Sequence, residues 1–383
     1  MSQEFPTKIS QDDLEKISAI DPSIARRVAK LIGEKTRAND NAENLEFANS
    51  ALEEEIETHK ETAETLEWAM DIYRKALEDE VTGFLRRGEL YKKIGNYING
   101  TLDLGPEKIT DEDWLEILAN PDNQKALANN NKYILLGDVS YLSFANKDGH
   151  SAGDTLLKFI GQQFKNQNIR GFRHGGDEMT AFMEKSPEEI SADLESVLEK
   201  IQQDPKINIF SQYELQPNVD FGLASINDAL EIYNQLLQIE NCPKTMAALD
   251  TLKQFENVWI EIADKRAMIN KGQTRIPMLM DLYVSDREKF DVVINYFRKG
   301  GYDITNPEID KLLIEEKRMA IINPEMDKDS IRMNLVNKFI HTREESAVSG
   351  EILPSEREED AEKWFKKEKA KLIWNLAKKD LAI

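Results

Sequence analysis

The residues best suited to chemistry lie in one short run, Arg173-His-Gly-Gly-Asp-Glu-Met-Thr180, where two glycines and two carboxylates separate the strand-like stretches 168–173 and 179–183. Glycine pairs reach positive φ without steric cost, so the run predicts a tight hairpin with Asp177 and Glu178 at its tip. Two acids at a tip repel each other unless a cation joins them. An ordinary solvated turn would account for Gly-Gly-Asp-Glu taken alone. It does not stand alone, because 132–138 reads as a buried strand ending on Asp138, and Gly149-His-Ser-Ala-Gly-Asp154 follows as a helix start. If the two strands are neighbours, Asp138 comes beside Asp177 and Glu178. Three carboxylates at one sheet edge make a hard oxygen site suited to Mg²⁺, which would bridge nucleotide phosphates.

Composition narrows the alternatives. The 383 residues carry a formal charge of −21, a field that repels nucleic acid and anionic membranes. One cysteine, Cys242, and four histidines exclude a disulfide framework and leave little for zinc, so oxygen ligands are expected for any metal. The longest apolar runs, such as 133–136, are far below the ~20 residues of a membrane-spanning helix, and the start MSQEFPTK has no signal-peptide pattern. The expectation is a soluble, cytoplasmic protein with no membrane span and no nucleic-acid partner.

The elements that must position these residues divide into four parts. Residues 1–44 hold two short helix candidates, one opened by the capping-box pattern Ser10-Gln-Asp-Asp13 and one following Pro22 through Ala25, Val28, Leu31 and Ile32. Over 45–78 a heptad runs, with Leu45, Leu52, His59, Leu66 and Tyr73 at d and Asn49, Ile56, Ala63, Met70 and Leu77 at a. It predicts a parallel dimeric coiled coil, in which Asn49 sets register and Glu55 attracts Lys60 of the partner strand; the plainer reading is an amphipathic helix lying on its own domain. Residues 79–276 alternate strand-like and helical runs, including a helix 153–167 whose Leu156, Phe159, Ile160 and Phe164 should face a sheet. An insertion at about 96–131 precedes the first strand and carries Trp114, Leu115, Ile117 and Leu118 on a helix of its own. Residues 277–383 revert to amphipathic helix, with Trp364 and Trp374 serving helix packing.

On these residues the sequence resembles the GGDEF-domain diguanylate cyclases, which join two GTP molecules into cyclic di-GMP. The resemblance spans roughly residues 77–276 in four ordered blocks. Asp79-Glu-Val-Thr-Gly-Phe-Leu-Arg-Arg87 is similar to the family's opening DxLTGLxNR. Residues 138–154 are similar to DxDxFKxxNDxxGHxxGD with one residue fewer. GGDEM at 175–179 stands for the signature, and Ala263-Asp-Lys-Arg-Ala-Met-Ile-Asn-Lys271 through Arg275 is similar to ADxALYxAKxxGRN.

The resemblance implies an α+β fold: a palm-like domain with a central, mostly antiparallel sheet, flanked by N-terminal helices with a coiled coil and by a C-terminal helical domain. It implies a Mg²⁺ (or Mn²⁺) site at Asp138, Asp177 and Glu178, with Asp177 and Glu178 as the catalytic acids. Asn146 and Asp154 would read guanine, a carboxylate accepting from N1–H and the exocyclic amine while an amide both donates and accepts. Lys271 and Arg275 would hold the triphosphate. Plainer roles are open for several: Asp154 as a helix cap, Asn146 as a turn former, Lys271 and Arg275 as a solvated helix end. His150 and His174 are read as structural. One domain would hold one GTP, so two must face each other, and tethering by the heptad stalk would raise their local concentration in a homodimer.

Departures from the pattern set the competing expectation. Ser140 stands where the family has a second Asp, Leu142 and Ser143 replace a Phe-Lys pair, Lys147 replaces an Asp, and Met179 replaces Phe. The stretch Asn166-Gln-Asn-Ile169 lacks the RxxD of the family's product-inhibition site, so feedback of that type is not expected. The leading expectation is an active, Mg-dependent dimeric cyclase. The alternative is a weak or inactive module that binds GTP or cyclic di-GMP or scaffolds partners, the C-terminal helices offering a possible protein-binding surface.

Overall fold

The computed structural model describes residues 15–16, 19, 22–37, 42–104, 117–118, 120–130, 132–146, 150–204, 215, 217–238, 255–297, 304–349 and 358–381. The expected capping box at Ser10, the helix at Trp114 and Leu115, Lys147 and Cys242 lie outside the described residues. The chain divides into two compact units, Met1–Leu77 and Glu78–Ile383.

Among the described residues, the first unit contains two long helices. Helix α1 (Pro22–Arg37) starts on a proline, whose fixed φ suits the first helical position. Ile24, Ala25, Leu31 and Ile32 are half-covered and Val28 is buried, one stripe at helical spacing. That stripe packs against α2 (Ala42–Leu77).

The second unit is built on a five-stranded sheet in the order β1-β3-β4-β2-β5, formed by β1 (Leu85–Arg86), β2 (Tyr133–Ser140), β3 (Gly171–Arg173), β4 (Glu178–Met183) and β5 (Asn218–Ser225). Among the described residues, β1 and β3 pair in parallel and the other pairings are antiparallel. The fold is therefore α+β with a mostly antiparallel sheet, as the sequence leads one to expect. In β2 almost every residue is buried because both faces are covered, which explains why the sequence shows a continuous apolar run rather than alternation.

One face, carrying Leu135, Val139, Met179 and Ala181, packs on α6 (His150–Asn166) and α7 (Pro187–Gln203), where Leu156, Ile160, Phe164 and Val197 are buried. The other face, carrying Ile134, Leu136, Phe182 and Ala224, is covered by α3 (Arg87–Leu102), α4 (Pro121–Ala128), α8 (Ile226–Leu237) and the first half of α9 (Phe255–Ser285). The short α5 (Leu142–Ala145) links β2 to α6.

Helix α9 reaches the sheet where β5 has no side chain. A Cβ on Gly222 would collide with the carbonyl oxygen of Ala263 and the amide of Ala267, so glycine permits backbone-to-backbone packing at this point. Trp259 Nε1 donates to the Ala224 carbonyl (2.7 Å) and one Arg266 guanidinium nitrogen donates to the Leu223 carbonyl (2.8 Å), tying the helix along the strand.

No break in the fold falls at 276/277. Helix α9 runs through it and through Pro277, because Ile276, Leu279, Met280 and Leu282 are buried on either side and outweigh the one backbone hydrogen bond that proline removes. Beyond it, α10 (Arg287–Phe297), α11 (Asn306–Ile322), α12 (Lys328–Val348) and α13 (Glu358–Ala377) join the same unit. Arg332 of α12 donates to both Glu316 oxygens (2.8 and 3.3 Å) and to Asp281 (2.6 Å), locking α12 to α11 and α9. Trp364 and Trp374 of α13 are buried, in keeping with their reading as packing residues.

Candidate functional site

Three carboxylates become neighbours through strand register alone. Asp138 in β2 lies opposite Glu178 in β4 on one side and opposite Asp220 in β5 on the other. Directly paired residues share a sheet face, and this is the face over which α9 passes. Lys271 and Arg275, one helical turn apart on α9, therefore arrive above the acids, and both are buried. Lys271 Nζ donates to Asp138 Oδ1 at 2.7 Å. One Arg275 guanidinium nitrogen donates to Ser140 Oγ (3.0 Å) and lies 3.9 Å from Asp138 and 4.0 Å from Asp220.

Asp220 was not singled out by sequence, yet it is the most enclosed member, with no exposed surface. Ser140 Oγ donates to it, as do Thr274 Oγ1 at 3.0 Å and Asn218 Nδ2 at 2.9 Å. Burial pushes its carboxyl above the ordinary range, against the hydrogen bond from Ser140 and the charge of Arg275. Ser140, where the resemblance expects an acid, thus joins Asp220 to Arg275. The only advance signal was Asp220's place in the alternating run 218–225, too weak to separate it from other strand carboxylates.

Asp264, also unremarked by its position in the fourth block, sits on α9 seven residues before Lys271. Its carboxyl is raised by burial, with Asp138 and Glu261 adding to the effect and Lys265 and Lys271 opposing it. Glu178 is raised by burial, then by Asp264, Asp177 and Asp138, against Lys271. Glu178 and Asp264 are thus both raised by burial and by neighbouring acids, with Lys271 opposing the effect at each.

The hairpin that carries Glu178 is clamped from outside. Arg173 donates to both oxygens of Asp79 (2.8 and 2.9 Å), to the Gly176 carbonyl (2.8 Å) and to the Gly175 carbonyl (3.2 Å). Asp79 also accepts from the Thr82 amide (2.9 Å) and hydroxyl (2.8 Å). Burial opposes ionisation of Asp79, but these bonds outweigh it and hold the carboxyl below its ordinary range. Gly83, at φ 68, completes the turn. His174 is pushed down to about 4 by burial, with Arg87 adding to it, so it is neutral at physiological pH. Asp177, at the tip, is held by its carbonyl, which accepts from the Val139 amide at 2.9 Å.

Among the described residues, no group of three His, Cys, Asp or Glu side chains is arranged to hold a metal ion. Register sets Asp138 opposite Glu178, with Asp177 one residue further along the hairpin tip, and Lys271 pairs with Asp138. The donor chemistry still fits a hard cation that brings phosphate oxygens of its own, since Mg²⁺ is usually held by one or two carboxylates plus substrate.

Asn146 packs against the start of α6. The Asn146 amide fills the space where a Cβ of Gly153 would be, next to the exposed Asp154. Asp154 is inside the helix that begins by His150, so it is not its cap.

Residues 115–241, about a third of the chain, match the family model described as diguanylate cyclase, GGDEF domain. Solved structures with which it shares similarity include a microbial GGDEF domain studied with cyclic di-GMP (17% identity, 52% of this chain and 93% of that chain covered, TM-score 0.31). Others are a diguanylate cyclase/phosphodiesterase from Caldicellulosiruptor saccharolyticus (15%, 51% and 90%, TM-score 0.29) and the diguanylate cyclase SiaD in complex with its activator SiaC from Pseudomonas aeruginosa (14%, 56% and 76%, TM-score 0.26). No curated protein matches the chain. Among the described residues, no helix is long and apolar enough to cross a membrane.

Proposed function

We propose that this chain is a diguanylate cyclase, condensing two GTP molecules into cyclic di-GMP with release of two pyrophosphates, as a homodimer in the cytoplasm. The observation that carries the reading is the opposition of Asp138 and Glu178 across two antiparallel strands, beneath Lys271 and Arg275 on one helix. Acids and cations on one face suit a metal-bound triphosphate, whose charge needs both.

Asp138 and Glu178, with Asp177 beside them, would hold Mg²⁺ or Mn²⁺, which supplies charge neutralisation on the phosphates and a lower pKa for the attacking 3′-hydroxyl. Lys271 then exchanges the Asp138 carboxylate for a phosphate oxygen, and Arg275 stays anchored through Ser140. Asn146, packed on Gly153, and the next residue along, Asp154, read the guanine edge. The protein contributes mostly position, since each GTP must present its 3′-oxygen in line with the other's α-phosphorus. The heptad over 45–78 brings the two domains into range by tethering.

A second reading, GTP or cyclic di-GMP binding without turnover, is favoured by the 2.7 Å Lys271–Asp138 pair and by Ser140 and Ser143 in place of an acid and a lysine. Purified chain incubated with GTP and Mg²⁺, with the nucleotides then separated by chromatography, decides between them. Cyclic di-GMP is expected, and Asp138→Ala or Glu178→Ala should lower its rate by at least about a hundredfold, the usual cost of losing one charge-stabilising group. GTP binding with no product from the unaltered chain would hand the case to the second reading.

A further inference from the structure

The stalk seam is already half occupied by the chain itself. Over 49–63 of α2 the covered positions are Asn49, Leu52, Ile56, His59 and Ala63, which are the a and d positions of the heptad, together with Glu55. Val28 of α1 is only 2% exposed and Leu52 9%, whereas the later seam residues Leu66, Met70 and Tyr73 are 50%, 64% and 63% exposed. Arg27 of α1 lies 3.3 Å from Glu55. Glu55 is the g-position acid that a parallel partner would use to attract its Lys60.

We propose that α1 is a cis competitor for the dimer stalk: it sits on the first half of the a/d seam and engages Glu55, so a second copy can pair along 49–63 only after α1 leaves. The inference rests on the reading of 45–78 as a dimerisation stalk. One stripe cannot serve two helices, because knobs-into-holes packing needs each a and d side chain in the partner's hole. The later seam, from Leu66 to Tyr73, is the part open to a second copy while α1 is docked. The two states differ in one short helix held by few buried side chains, so the balance between them is adjustable by anything that binds the polar face of α1.

The test compares full-length chains by sedimentation over a range of concentrations. Val28→Asp places a charge in the α1 stripe, and Arg27→Glu replaces an attraction with a repulsion without touching the apolar contact. When the competent fraction of a binding state is small, freeing it lowers the apparent Kd in proportion, so both variants should dimerise at least about tenfold more tightly than wild type. Leu66→Asp should abolish dimerisation in every background. If the wild type dimerises, Leu66→Asp abolishes this, and Val28→Asp and Arg27→Glu leave it unchanged or weaken it, the stalk stands and cis competition is overturned. If neither wild type nor Val28→Asp associates at any concentration, the stalk reading fails and the inference falls with it.

Discussion

Glu178 shows how neighbouring charges set the behaviour of a single side chain. Burial and three nearby acids raise its carboxyl, so the folded state holds its proton more tightly than the unfolded chain does. A raised carboxyl contributes stability at low pH and loses it as pH rises through the folded value. Ionised Glu178 therefore destabilises the fold at neutral pH, and Glu178→Gln should raise the Tm near pH 7.5 by about 1 °C, the order expected for somewhat under a kilocalorie in a chain of this size. The gap should close as the pH falls below the ordinary carboxylate range. A Tm for Glu178→Gln below wild type at pH 7.5 would show that the acid is held by attraction rather than crowded by like charge. The acids at 138, 177 and 178 were legible in sequence because they sit in a double-glycine hairpin and at a strand end. Asp220 and Asp264 were not, since an isolated carboxylate in a strand or helix looks the same whether it faces solvent or a buried cation.

At the scale of elements, α9 decides the site, because it carries Lys271, Arg275, Thr274 and Asp264 across the face that bears Asp138, Glu178 and Asp220. Its approach depends on Gly222. Gly222→Ala should cost about 1–3 kcal/mol, the usual range for overpacking, and should lower nucleotide affinity as well, because the helix and its cations move off the strand together. Urea denaturation measures the first effect and titration with GTP the second; a loss of stability with unaltered affinity would uncouple helix and site. In the C-terminal helices, Arg332→Ala leaves Glu316, only 5% exposed, as a buried charge without its guanidinium and should cost about 3–5 kcal/mol. Asp281→Ala removes an exposed partner of the same arginine and should cost less than about 1 kcal/mol. Equal losses from the two would mean that Glu316 is not the partner that matters. The helical period of 277–383 was readable, but its attachment was not. Composition alone suggested a boundary at 276, while buried Ile276, Leu279 and Met280 carry one helix through it.

For the whole molecule, the proposed chemistry needs two domains and the net charge of −21 opposes their meeting. Specific activity should fall on dilution below the dimer Kd, and moderate salt should shift that midpoint to lower concentration by screening the repulsion. Activity per chain that is constant on dilution would remove the requirement for facing domains. The heptad was readable as a periodic stripe, but the covering of its first half by α1 could not be read in advance, because an apolar stripe records that it must be buried and not by which helix.

The sequence by itself determined the local chemistry of this protein: a glycine-rich hairpin bearing two acids, a strand ending in a third, and periodic helices around them. Those features depend on residue type and spacing over a few positions. Only the tertiary structure decided that Asp138 is answered by Lys271, that Ser140 links Asp220 to Arg275, and that α1 covers the first half of the heptad stripe. Each of these is a choice among partners more than a dozen residues apart, and a choice of that kind is made by register, by packing against a glycine and by competition for one apolar face.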